Sequence, residues 1–255
     1  MTRLLSGAAL AVAAVAAILL LPLPGLRLLA CLVALVAARE YLMLVQSGRR
    51  QSMLLPLVLV ALVCWWLSER GAAAVLPLLL AGLAALAFEV VLRGATVERA
   101  AARFLAAWYT GMPLGLLVGV QQIGGPWATL MLVGTIAVSD SCQYYGGRAF
   151  GRRPLAPAIS PKKTVEGALA GGVAAVLCLA LAGPFALPGA GRASLAALGV
   201  AVAVLGICGD LFESRLKRTS GVKDSGSLIP GHGGVLDRID ALLFAAPVYY
   251  LYLRA

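Results

Sequence analysis

Residues 193–218 read ASLAALGVAVAVLGICGDLFESRLKR. From Ala193 to Gly209 the run carries no charge, and about 20 such residues rising 1.5 Å each cross the hydrocarbon core of a bilayer. The character then changes within three helical turns: Asp210 and Glu213 are followed by Arg215, Lys217 and Arg218. On a helix, Asp210, Glu213, Ser214 and Lys217 fall at i, i+3, i+4 and i+7 and share one face. The stretch reads as a membrane helix whose polar end carries chemistry. Composition extends that reading to the whole chain. Of 255 residues, 61% are hydrophobic and 13% charged, and the mean hydropathy is +0.94. A soluble domain is about 45–50% apolar and about 25% charged. A soluble enzyme, a secreted disulfide module and a disordered chain are excluded.

Apolar runs between turn or charge clusters place spans near 4–22, 26–46, 53–68, 71–92, 102–122, 126–145, 165–183, 193–212 and 236–253. The breaks have turn chemistry, as at Pro22-Leu23-Pro24-Gly25 and Gly124-Gly125-Pro126. The expected fold is all-α and polytopic, with about nine transmembrane helices. An N-terminal multi-span region covers 1–125 and a catalytic region 126–255, with polar connections at 146–164 and 215–235. Arg and Lys fix the orientation. With Arg3 cytoplasmic, the same side collects Arg49, Arg50, Arg93, Arg99, Arg103, Arg148, Arg152, Arg153, Lys162, Lys163, Arg215, Lys217, Arg218 and Lys223. The other side holds Arg27, Arg70, Arg192 and Arg254. An N-in, C-out topology with an odd number of spans follows. The first span is read as an uncleaved helix, since more membrane follows it. Cys31, Cys64, Cys142, Cys178 and Cys208 lie within spans without C-x-x-C spacing, which suits apolar packing.

The net charge of +10 is partly a topology signal and partly attraction to anionic headgroups; no nucleic-acid partner is expected. Acids are different, because placing one inside a span costs at least ~2.5 kcal/mol. Glu40 beside Arg39, and Glu89 one turn before Arg93, read equally well as structural pairs or as functional groups. Asp140, Glu166, Asp210, Glu213, Asp237 and Asp240 cluster beside the two polar connections, and that marks a site. Lys223-Asp224, Pro230-Gly231-His232-Gly233-Gly234 and Asp237-Arg238-Ile239-Asp240 follow the opening stretch. Glycines around His232 allow backbone N–H groups to approach a phosphate. Upstream, Asp140, Ser141 and Tyr144 share a helix face, and Ser160-Pro161-Lys162-Lys163-Thr164 sets hydroxyls and ammoniums at a helix start. Hard oxygen ligands without a Cys or His cluster suggest magnesium rather than zinc. No P-loop, G-x-S-x-G or H-E-x-x-H motif occurs.

The run from Ser214-Arg-Leu-Lys-Arg through Lys223-Asp224 to His232-Gly-Gly-Val-Leu-Asp237-Arg-Ile-Asp240 closely resembles the signature of the bacterial phosphatidate cytidylyltransferases, also called CDP-diglyceride synthases. The upstream block from Asp140 to Gly167 resembles a second block of that family, and the likeness covers roughly 130–245. It implies the reaction CTP + phosphatidate → CDP-diacylglycerol + pyrophosphate, dependent on Mg2+, with a second cation allowed. It implies catalytic roles for Asp210, Lys217, Asp237 and Asp240, with Asp210, Asp237 and Asp240 at the metal. Phosphates would be met by Lys217, Arg218, Lys223, Arg238, Ser160, Lys163 and Thr164 and by the backbone of Gly233 and Gly234. Ser214, Asp224, Asp140 and Tyr144 complete the substrate-binding set, with His232 as a positioning residue. The same likeness implies a bacterial inner-membrane enzyme with a cytoplasmic site, membrane lipid as partner, and a possible homodimer. Two rivals stand beside it. One is a CTP-dependent transferase acting on another lipid acceptor. The other is a secondary transporter, against which the absence of a matching polar pair in the N-terminal half counts.

Overall fold

The computed structural model describes residues 2–46, 53–228 and 233–255, with side chains from residue 6 onward. Arg49, Arg50 and His232 therefore lie outside the described residues. The chain is helical almost throughout: α1 (Thr2–Leu20), α2 (Leu23–Val45), α3 (Leu54–Arg70), α4 (Val75–Val91), α5 (Val97–Ala106), α6 (Met112–Phe150), α7 (Val165–Ala186), α8 (Arg192–Thr219) and α9 (Leu236–Arg254). One antiparallel hairpin, β1 (Pro154–Ala156) and β2 (Ser160–Thr164), joins α6 to α7. Among the described residues, five stretches are long and apolar enough to cross a membrane. They include 54–91 and 97–150, each longer than one bilayer crossing requires. An all-α membrane protein is what these helices make.

Two breaks divide the long stretches. Gly71 takes φ 57° and ψ −140° at the end of α3, where a short 3-10 turn leads into α4. Gly125 takes φ 73° and ψ −174° within α6, directly before Pro126. Positive φ is open to glycine, and proline withholds the N–H that would continue the ladder. Both positions coincide with boundaries read from sequence. Other helix ends differ from that reading. Gly146–Phe150 continue α6 and Arg215–Thr219 continue α8, so both connections are shorter than expected. Hydropathy follows the bilayer, and a helix keeps its hydrogen bonds after leaving it.

The chain packs as two compact units: residues 1–119 with 220–238, and residues 120–219 with 239–255. Residues 220–238 thus pack with the N-terminal helices. In the first unit, Gly111 and Gly115 lie against the backbone of Val60 and Cys64, where a side chain would collide. Buried Glu89 ties α4 to α5 by accepting from Arg93 at 3.2 Å and pairing with Arg103. The structural-pair reading of Glu89 is the one observed. In the second unit, small residues bring helices together as they do in membranes generally. Gly199 of α8 meets the backbone of α7 at Ala175 and Val176, and Gly171 of α7 meets Ser139 of α6. Ser139 Oγ donates to the Gly171 carbonyl at 3.1 Å.

Candidate active site

The second unit gathers Asp140 from α6, Lys163 from β2, Asp210 from α8 and Asp240 from α9. Lys163 Nζ forms an ion pair with Asp210 Oδ2. The charges of Asp140, Asp210, Asp240 and Lys163 act on one another. Asp140 is exposed and Asp240 half-buried. Ser214 Oγ donates to Asp210 Oδ1 at 3.3 Å, and Gln143 Nε2 donates to Asp140 Oδ1 at 3.2 Å. Close helix approach makes the gathering possible. A Cβ at Gly209 would strike the Asp240 carbonyl oxygen and stand 3.0 Å from the Phe244 ring, so α8 and α9 meet where their acids are.

The hairpin delivers Lys163. Pro154 pairs with Thr164 and Ala156 with Ser160, with an irregularity between them. Its base is closed by Glu166, whose Oε2 accepts from Arg152 N at 3.0 Å and Arg153 N at 3.2 Å. Glu166 is thus committed to shaping the loop, although its place in sequence put it among the site acids. Thr164 caps α7 by accepting from Gly167 N at 3.1 Å, which leaves its own O–H proton to donate elsewhere. Ser160 is half-buried at the strand start, and Arg218 Nε donates to the Ile159 carbonyl at 3.4 Å. Tyr144 is exposed, edge-on to Tyr145 at 5.2 Å.

The polar stripe of α8 resolves into two pairs. Asp210 holds Ser214, while Glu213, 1% exposed, takes Lys217 in an ion pair one turn on. Lys217 is therefore a held cation whose ammonium direction is set by Glu213.

Asp237 belongs to the first unit. Its Oδ2 accepts from Ser225 N at 2.9 Å and Gly234 N at 2.8 Å and lies 2.9 Å from Ser225 Oγ. The Gly234 N–H, expected to face a phosphate, is thus directed at Asp237. Gly233 takes φ 84° beside it. Lys223, Asp224 and Arg238 are exposed. Glu40 does not behave as a partner for neighbouring Arg39, which is exposed while Glu40 is buried. Its carboxylate accepts from Val235 N, Leu236 N and Ser225 Oγ. Sequence reasoning missed this role. The available signal was the cost of a buried acid, which demands donors, and a helix N-terminus supplies them.

Asp140, Asp210 and Asp240 outnumber the one lysine in their field. Oxygen donors with an excess of negative charge suit a hard divalent cation. Among the described residues, no group of three or more His, Cys, Asp or Glu is gathered as a ready metal cage.

The sequence model of the Cytidylyltransferase family matches residues 1–255. A phosphatidate cytidylyltransferase of Aquifex aeolicus is 40% identical over 148 residues, covering 58% of this chain and 55% of that protein. Another from Brucella suis is 39% identical over 186 residues, covering 72% of this chain and 67% of that protein. Escherichia coli YnbB, an uncharacterised protein, is 40% identical over 149 residues, covering 58% of this chain and 48% of that protein. The chain spans about half the length of several of these relatives.

Proposed function

Because the chain belongs to the cytidylyltransferase family, we propose that it transfers CMP from CTP to phosphatidate, giving CDP-diacylglycerol and pyrophosphate. The observation that carries the reading is the pairing of Lys163 with Asp210 in a field shared by Asp140 and Asp240. A phosphate oxygen of phosphatidate attacks the α-phosphorus of CTP in line. The bond from that phosphorus to the α,β-bridging oxygen breaks, and pyrophosphate leaves with the electron pair. The attacking oxygen is already anionic, so no strong general base is required. Such transfers depend on positioning and charge neutralisation.

Within the second unit, Asp210 and Asp240 would hold the divalent cation, with Asp140 beside them. When bound, that cation neutralises charge on the phosphates of CTP. Lys163 orients a phosphate against Asp210, and Ser160 and Thr164 offer hydroxyl donors. Lys217, aimed by Glu213, and Arg218 supply further positive charge. Asp237 enters through the family resemblance as a carboxylate the reaction requires, with Lys223, Arg238 and His232 assigned to substrate by the same resemblance.

The proposal includes a topology. The breaks at Gly71 and Gly125 support reading 54–91 and 97–150 as two crossings each, which with the remaining helices makes nine. Arg and Lys then put the N-terminus and the site on the cytoplasmic side of a bacterial inner membrane. Soluble CTP arrives from water and the lipid from the leaflet. Cysteine-accessibility labelling at Ser6 and Ala255 should find them on opposite sides. A homodimer belongs to the same reading and is checked by cross-linking.

The decisive assay is incorporation of radiolabelled CTP by the purified chain, with phosphatidate, a polyprenol or an ether-linked phosphatidate as acceptor. Phosphatidate is expected to be labelled, chelator to stop the labelling, magnesium to restore it, and Asp237→Asn to abolish it. Labelling of another acceptor alone would replace the proposed substrate, and normal turnover by Asp237→Asn would remove the role given to that residue.

A further inference from the structure

Glu40 sits near the end of α2, a largely apolar helix whose other charged residues are Arg27 and Arg39, and is 7% exposed. A carboxylate in such a place is costly unless each oxygen is met by donors. Here each is. Oε1 accepts from Val235 N at 3.0 Å, and Oε2 accepts from Leu236 N at 2.8 Å and Ser225 Oγ at 3.0 Å. The two backbone donors are orphan N–H groups at the start of α9, where a negative charge is also favoured by the helix dipole.

The loop is shaped around this carboxylate. A Cβ at Gly226 would stand 2.8 Å from Glu40 Oε1, and one at Gly234 would run into Glu40 Oε2 and Ser225 Oγ. The glycines at 226 and 234 make room for an acid that arrives from another helix. Ser225 lies between two acids, 3.0 Å from Glu40 Oε2 and 2.9 Å from Asp237 Oδ2. A hydroxyl has one proton to give. The direction of that proton links the two carboxylates, while Gly234 N and Ser225 N hold the Asp237 oxygen from the backbone.

We propose that Glu40 is a positioning residue for the transfer reaction, holding the start of α9 and the Ser225 loop so that Asp237 keeps its working orientation. The inference rests on the reading of Asp237 as a carboxylate the reaction requires. It brings into the reaction a residue of the N-terminal half.

The test uses the full chain purified in detergent, as Glu40→Gln, Glu40→Asp, Ser225→Ala and the Glu40→Gln/Ser225→Ala pair. Turnover, KM for CTP and for phosphatidate, and the thermal midpoint are measured for each. Misplacing a reacting group by about 1 Å costs about 100-fold, so Glu40→Gln should lower kcat by about 30- to 100-fold with both KM values within about threefold. Glu40→Asp, which keeps both acceptor oxygens, should recover at least about tenfold over Gln on the same reasoning. The double variant should be no slower than Glu40→Gln, because both changes act on one oxygen of Asp237. Three results would each overturn the inference: full turnover by Glu40→Gln, multiplication of the two single effects, or kcat losses that follow the thermal midpoint across the set. Should Glu40→Gln not fold, Glu40→Asp and Ser225→Ala decide, an unchanged kcat in both being the overturning result. Absence of transfer by the unaltered chain defeats the functional reading and this inference with it. Transfer by the unaltered chain with no effect at Glu40 defeats the inference alone.

Discussion

Lys163 pairs with Asp210 and lies in the electrostatic field of Asp140 and Asp240. Its pair with Asp210 is partly open, with side-chain exposures of 22% and 36%, so solvent screens it and its worth to stability is small. Its worth to chemistry is larger, because loss of one aimed charge-stabilising donor costs about 10²–10³ in turnover. Lys163→Met is therefore expected to reduce CTP incorporation by about that factor while shifting the thermal midpoint little. A large fall in the midpoint would show a structural role instead. Much at this scale was legible in the sequence. Asp140, Asp210 and Asp240 stood out because an acid is expensive in so apolar a chain, and Lys163 because it faced a helix start. What was not legible was the direction of single bonds. Gly234 N turns to Asp237, Glu166 to the base of the hairpin, and Lys217 to Glu213. Each has a partner nearby in sequence, yet nothing in residue type alone says which acceptor wins.

At the scale of elements, the meeting of α8 and α9 decides where Asp210 and Asp240 stand. Gly209 has no side chain at the point where the Asp240 carbonyl arrives. Gly209→Ala would force the helices apart by a fraction of an ångström, and overpacking of this kind costs about 1–3 kcal/mol. We expect turnover to fall by about 10- to 100-fold while the protein still folds, as read by size-exclusion profile beside the incorporation assay. Wild-type turnover would show that the two helices tolerate separation. Helix existence was legible throughout, since apolar length alone requires it. The kink at Gly125 was legible as well, because glycine and proline punctuate the chain for known steric reasons. The hairpin was not. Ser160-Pro-Lys-Lys-Thr164 lacks the apolar alternation of a strand, and its pairing is held instead by main-chain bonds and by Glu166.

For the molecule as a whole, composition determined the class, and the basic residues supplied a topology to test. The membership of the two units was beyond reach of the sequence, because residues 220–238 join the N-terminal helices through contacts that no local pattern announces. Ser220 Oγ donates to the Leu44 carbonyl at 2.6 Å, and Val235 and Leu236 donate to Glu40 across 195 and 196 positions. That separation sets a schedule for biogenesis. At about 5–20 residues per second, the ribosome needs about 10–40 s after making Glu40 to supply the amides that satisfy it. Throughout that interval α2 carries an acid without its final donors. Nascent chains that stop before residue 225 should accordingly be cleared faster in pulse–chase than chains that stop after 238, and Glu40→Leu should abolish the difference. Equal lifetimes would show that another group shelters the acid in the meantime. A buried carboxylate answered by Ser225, Val235 and Leu236 reports, by being answered, that synthesis has passed those residues.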